Sequence, residues 1–135
     1  MRGRFMRKTK LFLMGIALAC CITLPGHARI ADIPPVPTPG VVTMVDLGAH
    51  KCIPCKMMAP IIAQLQKEYS GRASVIFIDV WEHQEQAKRF GIRTIPTQIF
   101  FDKEGKEVSR HVGFMDKKSI EKTFETLGVP MEGQQ

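Results

Sequence analysis

The sequence predicts an α/β domain whose elements follow in the order β-α-β-α-β-β-α. Three observations predict it. Val41-Val42-Thr43-Met44-Val45-Asp46-Leu47 is a mostly apolar run of strand length. Directly after it, Met58, Ile61, Ile62, Leu65 and Tyr69 recur at helical spacing. A second strand-like run, Ser74 to Asp79, then completes a strand-helix-strand unit.

Each element has a local reason. Residues 41–47 form the first strand, and the first helix runs from about 54 to 70. Pro54 suits its first turn, where a missing N–H costs nothing because that N–H would have no helical partner. Pro60, inside the same helix, bends it. Strand 74–79 is followed by a short helix over about 82–90 and a strand over 97–101. Asp102-Lys103-Glu104-Gly105 turns the chain into a strand over 106–112. The last helix starts at Asp116, places Ile120, Phe124 and Leu127 on one face, and stops at Gly128. Residues 129–135 form a C-terminal tail. The single tryptophan, Trp81, is compatible with core packing or with a surface contact.

Ahead of this domain, residues 1–28 read as a secretory signal. Arg2, Arg4, Arg7, Lys8 and Lys10 make a basic head, Leu11 to Leu24 an apolar stretch, and Gly26 and Ala28 the small residues of a cleavage site after Ala28. Fourteen apolar residues are short for a membrane span, which takes about 20. The alternatives are an uncleaved N-terminus that holds the protein at the membrane and a lipid anchor on Cys20 or Cys21. Residues 29–40 contain Pro34, Pro35, Pro37 and Pro39 and are expected to be a semi-rigid spacer and not a strand. The length of 135 residues provides for a single core, in a domain over 41–128. Of the formal charge of +6, five positive charges reside in the leader, because residues 29–135 carry 14 basic and 13 acidic side chains. No basic patch interleaved with aromatics remains, which excludes nucleic acid as the expected partner.

The chemistry concentrates at Cys52-Ile53-Pro54-Cys55, two thiols at the transition from strand to helix. A helix start presents unpaired N–H groups and a positive dipole end, and both favour a thiolate over a thiol. Such a pair can exchange a disulfide with another protein, hold a metal or form a structural crosslink. A zinc site would want a second ligand pair, and none follows at ligand spacing; His50 and His111 are the available third ligands. Lys51 and Lys56 flank the pair, either to stabilise a thiolate or as solvated surface lysines. Asp46 is the other candidate, since a carboxylate within an apolar strand is costly to bury and its pKa rises.

The segment from Val45 to Pro60 resembles the active-site stretch of thioredoxins, usually V-D-F-W-A-x-W-C-G-P-C-K-x-x-x-P. Phe90-Gly91-Ile92-Arg93-Thr94-Ile95-Pro96-Thr97 resembles that family's second signature, and Val112-Gly113 a third match. The resemblance covers about residues 41–128. It implies a minimal thioredoxin-like fold, with a central mixed sheet flanked by helices, and a thiol-disulfide oxidoreductase needing no organic cofactor. It further implies that Cys52 is the nucleophile, Cys55 resolves the mixed disulfide, and Asp46 exchanges protons with Cys55. Pro96 is implied to be cis and, with Ile95, to meet an extended substrate segment beside Ile53 and Pro54. Among the departures from the pattern, Lys51 and Ile53 replace a tryptophan and a glycine, and Phe77 stands where a buried lysine is common. With the leader, these features point to an exported, monomeric protein that reduces cysteine pairs of extracytoplasmic clients and draws electrons from a membrane donor. The alternative is an exported copper or zinc chaperone using the same cysteine pair.

Overall fold

In the computed structural model the described residues are 33–131. The leader, with its cleavage site and Cys20 and Cys21, lies outside them. The elements are β1 (Val42–Gly48), α1 (Ile53–Glu68), β2 (Ala73–Asp79), α2 (Gln84–Arg89), β3 (Thr97–Phe101), β4 (Glu107–Val112) and α3 (Lys117–Thr126). The order is the expected one. The four strands lie side by side as β2-β1-β3-β4. The β1–β2 pair is parallel, and β3 runs antiparallel to both its neighbours, so the sheet is mixed.

Alternation along the strands divides the core between the two faces of the sheet. On one face Met44, Val75 and Phe100 meet Met58, Ile62 and Leu65 of α1 and Ile120 and Phe124 of α3. Tyr69, Phe124 and Phe100 form a chain of tilted and edge-on rings with centroids 4.6 and 5.8 Å apart. On the other face Val45, Leu47, Ile76, Ile78 and Ile99 pack with Val80, and Ala87 and Phe90 close over them. Asp116 caps α3 by accepting the Ser119 N–H at 3.0 Å. Gly128, at φ 79°, turns the chain out of the helix so that the Val129 N–H reaches the Phe124 carbonyl at 2.8 Å.

Both ends of the domain depart from the expectation. From Ile33 the proline-rich stretch is part of the fold, not a spacer. Val36 is 3% exposed and lies in the second core cluster with Ile33 against it. Its carbonyl accepts from Arg89, and Thr38 Oγ1 bonds Ser74 Oγ at 2.8 Å. Prolines keep the segment out of the sheet ladder but do not prevent an apolar side chain among them from being buried. At the other end, Val129 is buried and Met131 packs on the α1–α3 core, so residues 129–131 also close the domain. Trp81 is 54% exposed, which assigns it to the surface.

Candidate active site

Strand β1 delivers the chain to the cysteines. It ends at Gly48, and the turn through Ala49 is closed by the Cys52 N–H donating to the Ala49 carbonyl at 3.1 Å. Cys52 is the N-cap of α1, in extended conformation, and its carbonyl accepts the Lys56 N–H at 3.1 Å. Cys55 lies one turn into the helix. The two sulfurs are joined as a disulfide with the Cα atoms 5.2 Å apart. No acidic side chain occupies the first turn of α1, so the positive helix end meets no local counter-charge. Cys52 is 9% exposed and Cys55 3%, which makes Cys52 the more accessible sulfur.

Gly48 is a point of close approach. A Cβ there would lie 3.3 Å from Cys55 Sγ and 3.1 Å from Phe77 Cε2. Asp46 is the next residue inward on the same strand face. It is wholly buried, opposite Phe77 on β2 and Gln98 on β3. Burial raises its carboxyl from the ordinary 3.8 to about 6, against a smaller lowering by Gln98, whose Nε2 donates to Oδ1 at 2.7 Å. Its other oxygen, Oδ2, is buried with no hydrogen-bond partner. A carboxyl with that pKa holds or releases a proton near neutral pH.

Ile95–Pro96 is a cis peptide bond at the head of β3. The loop is held by the Thr97 hydroxyl donating to the Thr94 carbonyl at 2.7 Å and by the Gly113 N–H donating to the Pro96 carbonyl at 2.8 Å. Ile95 packs with Ala49, Cys52 and Cys55 in one small apolar cluster. The three predicted chemical residues and the 95–96 loop are therefore brought to one end of the sheet. Ile53 and Pro54 stand outward beside them, Ile53 at 76% exposure.

A sequence model of the thioredoxin family matches residues 36–126. The chain belongs to the thioredoxin family. The thioredoxin of Staphylococcus saprophyticus subsp. saprophyticus is 39% identical over 84 residues, 62% of this chain and 80% of that one. That of Staphylococcus haemolyticus is 40% identical over 79 residues, 58% of this chain and 75% of that one. A solved structure of a malarial protein shares the fold, with a TM-score of 0.59 at 21% identity over 64% of this chain and 96% of that chain. As a thioredoxin-family protein with a disulfide-forming C-x-x-C pair, it is a thiol-disulfide oxidoreductase acting on cysteine-containing proteins.

Around this thioredoxin centre the structure adds residues that the sequence reading did not single out. Gln98 is one, a fully buried amide on the Asp46 carboxyl. Its signal was a polar residue within Thr97-Gln98-Ile99-Phe100-Phe101, legible once β3 is set in register with β1. Met57, four residues after Ile53 and 55% exposed, extends the apolar surface beside the disulfide. A cavity of about 230 Å³ opens beside Cys55 between Ala49, His50, Lys56, Ile62 and Phe77. A second cavity, of about 210 Å³, is lined by Ile33, Pro34, His50, Phe77, Asp79 and Glu82, among others.

His50 does not join the cysteines. Its ring leans on Phe77 with centroids 5.0 Å apart, and its N–H donates to Asp79 Oδ2 at 2.7 Å. Burial pushes the Asp79 carboxyl up, but backbone N–H groups of His50, Trp81 and Glu82 outweigh this and hold it below the usual carboxylate range. Among the described residues, the cluster of ligand-type groups close enough to share an ion is His50, Asp79 and Glu82, with ligand atoms within 4.8 Å of one another. It includes neither cysteine. His111, the other expected third ligand, instead places Nε2 3.1 Å from the Phe114 carbonyl.

Proposed function

We propose that this thiol-disulfide oxidoreductase is exported and works as a reductant, opening disulfides of extracytoplasmic client proteins. The observation that carries the mechanism is the burial of Asp46 one step inward from the Gly48 against which Cys55 packs. In the reduced protein the Cys52 thiolate, favoured at the start of α1, attacks a client disulfide. A mixed disulfide forms and the first client sulfur leaves. Cys55 then gives its proton to the Asp46 carboxylate, and its sulfur attacks Cys52. The Cys52–Cys55 bond forms, the mixed disulfide breaks, and the second client sulfur departs with the electron pair and takes a proton from water.

An extended client segment lies against the cis Ile95–Pro96 loop, where exposed Ile53 and Met57 offer apolar contact. The basic and apolar leader supports export, with the mature chain starting near Arg29. Turnover outside the cytosol needs a membrane electron carrier to return two electrons to the disulfide. The reducing direction is supported by Ile53-Pro54, which places no polar thiolate stabiliser between the cysteines.

Cell fractionation with N-terminal sequencing, followed by equilibration in glutathione buffers, tests this reading. The expected results are an extracytoplasmic chain beginning near residue 29 and a potential between about −270 and about −180 mV. An intact Met1 in the cytoplasm refutes export. A potential near about −120 mV makes the protein a disulfide donor.

A further inference from the structure

We propose that Gln98 is a positioning residue for the proton transfer that resolves the mixed disulfide: its amide fixes Asp46 by Oδ1 and keeps Oδ2 as the proton-accepting oxygen. This rests on the role given to Asp46 above and extends it to a second residue.

The argument begins with what faces the carboxyl. Asp46 lies between Phe77 of β2 and Gln98 of β3, and beyond Gln98 the same row continues to His111 of β4. From α1, Cys55 meets Gly48, two residues along β1 from Asp46; Lys56 and His50 line the cavity beside Phe77. Phe77 offers no donor. His111 is bonded to the Phe114 carbonyl and is separated from Asp46 by Gln98. Among the described residues, Gln98 Nε2, 2.7 Å from Oδ1, is thus the donor that the buried carboxylate has, and no charge compensates it.

Two consequences follow from the atoms left over. Oδ1 is engaged, so an arriving proton goes to Oδ2, which is buried and without a partner. A hydrogen bond to an ionised acceptor is about twice as strong as one to a neutral acceptor, so the amide favours the carboxylate, the form that can take the Cys55 proton. Gln98 is itself wholly buried with its Oε1 unpartnered, an arrangement an apolar side chain would avoid at no loss to packing. Among the described residues, the hydrogen bond this buried amide makes is the one to the carboxylate.

Gln98→Met, which keeps the volume and removes the amide, tests the proposal. Reduced protein is mixed with an aromatic disulfide such as Ellman's reagent. The first release of coloured thiolate reports attack by Cys52, and the second reports resolution by Cys55. With the wild-type carboxyl near 6, an upward shift of about one pH unit leaves attack unchanged and slows resolution about twofold at pH 7 and about ninefold at pH 5. The two rates converge above about pH 8. Carbon-13 titration of the Asp46 carboxyl, assigned with Asp46→Asn, should show the same shift directly. Gln98→Asn, whose amide is drawn back by one methylene, gives a second chance to see it if the methionine variant does not fold. Superimposable pH profiles and an unmoved carboxyl midpoint overturn the proposal. If Asp46→Asn itself leaves resolution unaltered, the proton-exchange role falls and the proposed function of Gln98 with it, whatever the carboxyl midpoint does.

Discussion

Replacing Asp46 with asparagine should stabilise the protein and impair it at once. The carboxyl is displaced from 3.8 to about 6 chiefly by burial, which corresponds to about 3 kcal/mol. Well below pH 3.8 folded and unfolded chains both hold this proton, and the residue exacts no penalty. As the pH rises, the unfolded chain releases the proton first, so stability falls until the folded carboxyl ionises near 6. At pH 7 and above the whole of about 3 kcal/mol is lost, and about half of it already at pH 5. The asparagine keeps an oxygen for Gln98 Nε2 and carries no charge to bury at any pH. The variant should therefore be more stable by about 3 kcal/mol at pH 7, a rise in Tm of roughly 10 °C or more for a domain of this size. Urea unfolding of the oxidised wild type and variant from pH 4.5 to 8 measures the gap. The same variant should slow resolution by Cys55 more than attack by Cys52. A stability difference that stays constant over this pH range would refute the assignment of a raised pKa to buried Asp46.

The cysteines should be unequal. Cys52→Ser abolishes exchange, whereas Cys55→Ser leaves a nucleophile that cannot be released and accumulates mixed disulfides, visible on non-reducing gels; equal trapping by both variants would reverse or cancel the roles. Gly48→Ala places a methyl 3.1 Å from Phe77 Cε2 and 3.3 Å from Cys55 Sγ. It should cost about 1–3 kcal/mol and slow resolution without slowing the first attack, and a variant with wild-type stability and kinetics would show that this contact relaxes freely.

What the sequence could express depended on how local each signal was. Helix α1 was legible because Met58, Ile62, Leu65 and Tyr69 mark a buried stripe by spacing alone, and all four are buried. The cysteine pair and Pro96 were legible through short motifs that lie together in the chain. Gln98 was not, because its meaning comes from Asp46, 52 residues away and across a strand pair. The stretch around Val36 misled for the opposite reason. Four prolines within six residues correctly argue against a strand, yet they say nothing about a lone valine that finds a gap between the sheet and α2. Val129 likewise follows a helix stop, and its burial depends on a core assembled by α1 and α3.

The cavity shared by Ile33, Pro34 and His50 has a practical bearing on how the protein is handled. Ile33 and Pro34 meet His50, two residues before Cys52, so a tag, bead or fluorophore joined just ahead of Ile33 is attached on the side of the domain that carries this turn. Met131, by contrast, packs with Tyr69 at the far end of α1. The 16 residues of that helix put about 24 Å between its cysteine end and its Tyr69 end. Immobilisation or labelling through the C-terminus leaves the disulfide turned toward the solution.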